Sequence, residues 1–218
     1  KPDGTRMYIM DSSGQDVNEY SLSTAWNIST ASYVRIFNVS AQEGAPSGVS
    51  FKTDGLKMYV LGGKVNEYNL STAWNISTAI YSQNFNVATQ ETAPSSVFFK
   101  ADGLKMYVLG DTGNDVNEYN LSTAWDVSTV VFVQNFSVSA QEAQPSGLFF
   151  KSDGTKMYVI GYSSDSVHEY DVGALYQPTA QYLPAITSPD GQIDSQYWTD
   201  INSMTADDAD NDGQVYYA

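Results

Sequence analysis

Three tryptophans are each followed by an amide or carboxylate side chain, and these pairs recur at nearly constant spacing. They are Trp26 with Asn27, Trp74 with Asn75, and Trp125 with Asp126, 48 and 51 residues apart. An indole ring packs on the C–H face of a sugar while neighbouring polar groups bind its hydroxyls. These six residues are therefore candidates for a carbohydrate site. The alternative, which we favour, is that each tryptophan packs between neighbouring structural units.

Repeated carboxylates form a second candidate set. A glutamate precedes a tyrosine in every copy, at Glu19, Glu67, Glu118 and Glu169. Four such groups could bind a cation on a shared axis, but their place in the outer half of the unit favours pairing with the repeated Lys or Arg. Gln-Glu pairs at 42–43, 90–91 and 141–142 lie in loops. They are placed to bind a ligand, although solvation or hydrogen bonding between units is favoured.

The C-terminal segment contains the beginning of a calcium-binding pattern. Asp208, Asp210, Asp212 and Gly213 match positions 1, 3, 5 and 6 of a calcium loop. The glutamate due at position 12 would be residue 219, which lies beyond the sequence. An acidic turn is therefore favoured over a calcium site, and no other pattern indicates a cofactor.

Motifs of nucleophilic, phosphate-binding and metal-dependent catalysis are absent from the sequence. His168 is the single histidine, and it takes the place that asparagine holds in the other copies, at 18, 66 and 117. A lactonase would need unique carboxylates and amides that converge on the central axis, and strict repetition argues against them. We therefore predict no catalytic residue and no enzymatic activity.

The composition excludes several partners. The formal net charge of the 218 residues is -15, so nucleic acid and anionic membrane surfaces would be repelled. No apolar run reaches the roughly 20 residues that a spanning helix requires. Cysteine is absent, which excludes disulfide and thiolate chemistry and leaves the compartment open.

A sequence motif is repeated four times, and the structural unit that it encodes must position all of these side chains. Each copy has Lys-x-Asp-Gly followed by Met-Tyr, and the Met-Tyr pairs begin at residues 7, 58, 106 and 157. A period of 48 to 51 residues indicates one supersecondary unit copied in tandem. A residue present in every copy is therefore expected to serve the fold of the unit.

The second copy predicts four short strands. They cover residues 47–51, 57–61, 65–70 and 81–87, with an Asp-Gly hairpin after the first and a long Trp74 loop before the last. Four antiparallel strands per 50 residues without helical periodicity are typical of a β-propeller blade. A β-solenoid is the competing architecture, but its coils are usually shorter and lack such hairpins.

Two resemblances follow from these motifs. The segment "PSGLFFKSDGTKMYVIG" followed by "VHEYD" resembles blades of the YVTN and NHL propeller families. The fuller unit, with "VNEYNLSTAWNISTA", is similar to propeller repeats in structural proteins of tailed phages. The second resemblance implies a tail, fibre or surface-decorating protein of a virion.

The repeat stops after Tyr170, because Pro178 and Pro184 interrupt the next expected strand. We predict propeller blades over residues 1–185, about four in number with the first and last incomplete, and a linker and truncated second domain over 186–218. The ring would close with blades from a longer chain, which we favour, with the segment near 181–187, or with a second copy of the chain.

These inferences predict an all-β propeller that is a non-enzymatic structural or recognition protein. By resemblance, its partners would be other virion proteins or host-surface glycans, and its location the virion or the extracellular space. Two alternatives stay open: a secreted carbohydrate-binding propeller and a lactonase-type propeller hydrolase.

Overall fold

The computed structural model describes residues 1–172, and these residues fold into four antiparallel β-sheets in chain order. A compact unit spans Lys1–Tyr170. The predicted domain boundary at residue 185 and the predicted calcium ligands Asp208, Asp210 and Asp212 lie outside the described residues. Within residues 1–172, no helix has the length and apolar character needed to cross a membrane.

The two middle sheets have four strands each, and the two outer sheets have three within the described residues. Sheet 1 contains β1 (Arg6–Asp11), β2 (Asp16–Leu22) and β3 (Ala31–Asn38). Sheet 2 contains β4 (Gly48–Phe51), β5 (Lys57–Leu61), β6 (Lys64–Leu70) and β7 (Ala79–Asn86). Sheet 3 contains β8 (Pro94–Phe99), β9 (Lys105–Gly110), β10 (Asp115–Leu121) and β11 (Val130–Ser137). Sheet 4 contains β12 (Pro145–Phe150), β13 (Lys156–Gly161) and β14 (Val167–Asp171).

The predicted strand order and the Asp-Gly hairpins are confirmed. In sheet 2, Gly55 adopts a φ of 74°, a left-handed conformation that glycine reaches without a steric penalty. The Asp54 carboxylate accepts a hydrogen bond from the Leu56 amide at 2.9 Å and pairs with Lys52 at 2.7 Å. Local residue chemistry therefore closes this hairpin before any contact with another sheet is made.

The long loop before the last strand contains a feature that the sequence did not predict. It ends in a single turn of 3-10 helix in three of the sheets, at Ile28–Thr30, Ile76–Thr78 and Val127–Thr129. The side chain before each turn caps it: Asn75 Oδ1 accepts the Ser77 amide hydrogen at 3.1 Å. The polar neighbours of the three tryptophans are therefore capping residues.

The core lies between successive sheets. One apolar cluster joins sheets 2 and 3, where Leu61 and Val65 are buried with Met106 and Leu121. A second cluster joins sheets 1 and 2 around Val17. Sheet 2 therefore buries both faces on its neighbours, sheets 1 and 3, as the apolar residues on both faces of its predicted strands require.

Strand direction divides the loops between two faces. The connector face carries the links between sheets (39–47, 87–93 and 138–144) and one hairpin of each sheet (12–15, 62–63, 111–114 and 162–166). The turn face carries the Asp-Gly hairpins and the tryptophan loops. Because consecutive strands are antiparallel, the two groups of loops lie at opposite strand ends.

Candidate functional site

The repeated tryptophans adopt a backbone conformation that is unusual for a bulky residue. Trp26, Trp74 and Trp125 each have a φ of 64°. The Trp74 amide donates to the Gly55 carbonyl at 2.9 Å. The indole lies so close above Gly55 that an added Cβ would be 2.3 Å from Nε1. Gly4, Gly55 and Gly103, the glycines of three Asp-Gly turns, thus make room for a tryptophan ring.

Trp125 lies in the interface between sheets 2 and 3 and is only 6% exposed. Its ring stacks on Phe99 with 5.4 Å between centroids, and its carbonyl accepts a hydrogen bond from Tyr59 Oη at 2.7 Å. Tyr8 Oη makes the same bond to the Trp74 carbonyl at 2.5 Å. These two tryptophans pack between sheets, the alternative that the sequence analysis favoured.

Trp26 has no described neighbour on the equivalent side and is 73% exposed. It borders a cavity of about 510 Å³ that Arg6, Met7, Leu22 and Ile28 also line. The capping role of Asn27, Asn75 and Asp126 occupies one side-chain oxygen of each. A carbohydrate-binding role for these six residues stays a prediction.

The repeated glutamates pair with the repeated cations, as predicted. The Glu67 carboxylate is buried and binds Lys57 Nζ at 2.5 Å. It also accepts the Val127 amide hydrogen of the next sheet at 3.1 Å. Corresponding pairs join Glu19 to Arg6, Glu118 to Lys105 and Glu169 to Lys156. Each pair therefore joins two strands of one sheet, and Glu67 also holds sheet 2 against sheet 3.

Two glutamates of the Gln-Glu pairs, Glu91 and Glu142, each anchor a link to a hairpin on the connector face. Glu91 is buried and accepts amide hydrogens from Ala93 at 2.6 Å, Gly113 at 2.9 Å and Thr112 at 3.3 Å. Glu142 does the same in sheet 4, from Gln144 at 2.8 Å and the Ser163 amide at 3.1 Å.

Sheet 4 adds side chains that sheet 3 lacks at this position. Ser164 Oγ donates to Glu142 Oε2 at 2.5 Å and lies 2.9 Å from His168 Nε2. Ser163 Oγ also donates to Glu142. Glu142, Ser164 and His168 therefore form a continuous polar chain on the connector face, which we call the His168 cluster.

Hydrogen bonding within the His168 cluster determines the tautomer of the imidazole. The Ser164 hydroxyl has one hydrogen, which it donates to Glu142, so its oxygen must accept from His168 Nε2–H. In a neutral imidazole the other nitrogen, Nδ1, then carries the lone pair. Among residues 1–172, only Nε2 of His168 is hydrogen-bonded. The cluster thus presents a basic nitrogen.

The same donors keep Glu142 ionised. Hydrogen bonds from the Ser163 and Ser164 hydroxyls lower the pKa of Glu142 from its ordinary 4.5 to about 2, and the backbone donors of Gln144 and Ser163 add to this effect. Burial acts in the opposite direction and is outweighed. Glu142 is therefore a fixed negative charge that orients Ser164 and, through it, the imidazole.

Neither His168, a lone histidine at a repeat position, nor its partner Ser164 is among the site residues predicted from the sequence. In sheet 3, the equivalent Asn117 binds Asp115 through Nδ2 at 2.6 Å instead. A usable signal was present: the hairpin reads Tyr-Ser-Ser-Asp-Ser in sheet 4 and Asp-Thr-Gly-Asn-Asp in sheet 3. The two departures from the repeat, one in the hairpin and one at residue 168, are close together in the sequence. In the part of the chain that the structure describes, no three His, Asp or Glu residues form a metal-binding group.

Three of the solved structures to which the chain is similar are named as sugar-lactone hydrolases. The chain is similar to a candidate 6-phosphogluconolactonase from Bacteroides uniformis, with a TM-score of 0.54 and 11% identity over 78% of this chain and 51% of the other. A candidate 6-phosphogluconolactonase from Bacteroides fragilis gives 0.56 and 14%, over 78% and 48%. The periplasmic gluconolactonase of Pseudomonas aeruginosa gives 0.50 and 20%, over 78% and 47%.

These likenesses and the four antiparallel sheets confirm the predicted β-propeller fold. No family model matches the sequence, and no curated protein does. The chain spans about half the length of the three solved structures. None of the comparisons supports a YVTN or NHL repeat or a phage protein in particular.

The prediction that the protein is not an enzyme is wrong by this comparison, because the neighbours that share its fold are named for lactone hydrolysis. The repetition on which that prediction relied is also incomplete, because it breaks at Ser164 and His168.

Proposed function

We propose that this chain forms part of a lactone hydrolase in which His168 is the general base. The observation that carries the proposal is the His168 cluster, which holds a basic imidazole nitrogen on the connector face. The names of the neighbouring structures support the reaction type. Since the chain spans about half of those proteins, the activity of the whole ring is part of the proposal.

Each residue of the cluster has a separate role in the proposed reaction. His168 Nδ1 takes a proton from a water molecule, and the resulting hydroxide attacks the lactone carbonyl carbon. The ring C–O bond then breaks, and the leaving oxygen takes the proton back from the imidazolium, which yields the hydroxy acid. Ser164 and Glu142 do not react. They hold the imidazole in the Nε2–H tautomer that leaves Nδ1 basic.

The proposal is tested with an aldonolactone whose hydrolysis is followed by acid release above the spontaneous rate. We expect His168→Asn to lower kcat at least about 100-fold, because a positioned general base contributes that much or more. Asparagine is the residue that the other copies have at this position, so the variant should fold normally, as circular dichroism and thermal unfolding would show.

The matched control is Asn18→Ala, the same repeat position in sheet 1, which should keep full activity. A wild-type rate equal to the spontaneous rate would contradict the proposal, and so would full activity in His168→Asn. The virion or extracellular location and the partners predicted with it stay predictions, which none of the comparisons addresses.

A further inference from the structure

Charge is divided unevenly between the two faces of the described propeller. The connector face and the strand ends that border it carry eight carboxylates: Asp11, Asp16, Glu43, Glu91, Asp111, Asp115, Glu142 and Asp165. Lys64 is the single Lys or Arg there among residues 1–172. The His168 cluster lies on this acidic face, with Asp165 in its own hairpin.

The other cations lie toward the turn face, and most are paired there. Four belong to Asp-Gly hairpins, each with an aspartate 2.6 to 2.8 Å away: Lys1, Lys52, Lys100 and Lys151. Four pair with the repeated glutamates: Arg6, Lys57, Lys105 and Lys156. The remaining one, Arg35, binds Asn75 Oδ1 at 2.8 Å. All ten Lys and Arg of the sequence are thereby accounted for, and residues 173–218 contain neither type.

This distribution of charge affects how the protein would bind a phosphorylated sugar lactone compared with an unphosphorylated one. Proteins bind phosphate groups with Arg or Lys side chains, or with the amide groups at a helix N-terminus. The described connector face has one lysine and no helix. Its carboxylates would repel a phosphate dianion that approaches within the Debye length, about 8 Å at physiological ionic strength.

We propose that the His168 cluster serves a neutral sugar lactone and discriminates against its phosphorylated form. This inference rests on the proposed lactonase function. The proposed substrate differs from the 6-phospho lactone for which two of the neighbours are named. It is of the same kind as the gluconolactone for which the third is named. The acidic face selects by repelling the anion, while the sugar hydroxyls remain compatible with carboxylate acceptors.

The test compares glucono-δ-lactone with its 6-phosphate on the same purified protein. We expect kcat/KM to be at least about tenfold higher for the neutral lactone at low salt, since a field of one sign changes the local concentration of an ionic substrate by that order. Raising the ionic strength should narrow the ratio by speeding only the phosphorylated substrate. Equal rates at all salt concentrations would overturn the inference.

A matched pair of variants locates the effect on one face. Ala140 and Ala124 are exposed loop residues of the same sheet, on the connector face and the turn face respectively. Ala140→Lys should raise kcat/KM for the phosphorylated lactone severalfold and leave that for the neutral one unchanged. Ala124→Lys, which adds the same charge to the opposite face, should change neither.

The outcomes separate the two proposals. A preference for the phosphorylated lactone overturns the charge inference and leaves the lactonase function standing. Absence of catalysed hydrolysis of either substrate overturns the lactonase function, and the inference falls with it. An equal response to Ala140→Lys and Ala124→Lys would contradict selection by the connector face.

Discussion

Repeated polar groups have different partners in two regions of the molecule. These regions are the interface between sheets 2 and 3 and the His168 cluster of sheet 4. At the interface, Glu67 and the Trp125 carbonyl are used up by contacts to the neighbouring sheet. In the cluster, Glu142 has its repeated anchoring role, but one of its serine donors, Ser164, also binds a histidine that no other copy has.

The comparison teaches that a polar residue present in every copy is occupied by the packing of the copies on one another. A buried carboxylate needs several donors to remain charged, and in a tandem fold the adjacent sheet supplies them. Polar side chains that are available for catalysis are then expected where the sequence departs from the repeat. Four experiments would break or sharpen this contrast, and they are ordered by expected effect.

The largest effect is expected at the interface between sheets 2 and 3. Trp125→Ala should lower the free energy of unfolding by about 3–5 kcal/mol, as large aromatic deletions in a core do. Denaturant titration measures the change. The control, Trp26→Ala, removes a ring that is 73% exposed and should cost under about 0.5 kcal/mol. A loss as large as that of Trp125→Ala would mean that another surface covers Trp26 in solution.

Next in size is the anchoring role that sheets 3 and 4 share. Glu91→Gln replaces an acceptor of three amide hydrogens with a group that is half donor, and should cost about 1–3 kcal/mol. Glu142→Gln should also be destabilising for this reason. Only Glu142→Gln should slow lactone hydrolysis, because only Glu142 orients a histidine. Equal losses of activity in both variants would argue against a special role for sheet 4.

The pH dependence of stability reports on Glu142. Its pKa is lowered from 4.5 to about 2 in the folded protein, so the ionised form stabilises the fold. That contribution is complete above about pH 5 and is lost as pH falls from 4.5 towards 2. Unfolding of wild type and Glu142→Gln, measured across this range, should converge at the acidic end. Parallel curves would show that the Glu142 pKa is not lowered.

The smallest change in stability is expected for the residue between the acid and the base. Ser164→Ala should cost about 1 kcal/mol, the net worth of a side-chain hydrogen bond. It should also lower kcat, since His168 loses the partner that sets its tautomer, while Ser164→Thr should restore part of the rate. An unchanged kcat in Ser164→Ala would mean that His168 is oriented by other contacts.

Much of the fold could be predicted from the sequence because its determinants are local. Asp-Gly at 54–55 closes a hairpin by itself, and the period of the Met-Tyr pairs shows that the unit is copied. The one-turn helices were missed because three residues are too few to show a helical period, although the Asn75 cap on Ser77 is a local contact. The candidate site was missed for a different reason: Glu142, Ser164 and His168 lie in a link, a hairpin and a strand that no short motif connects.

By itself, then, the sequence determined the tandem β architecture, the hairpin chemistry and the acidic charge, because each depends on residue type and spacing along the chain. Only the tertiary structure decided which polar groups are hydrogen-bonded between packed sheets and which remain available for a proposed reaction. Trp74 and Trp125 are packed because another sheet lies against them, while the link that carries Glu142 folds against the hairpin of Ser164 and so reaches His168. Proximity of this kind arises when sheets and loops pack, and sequence spacing does not contain it.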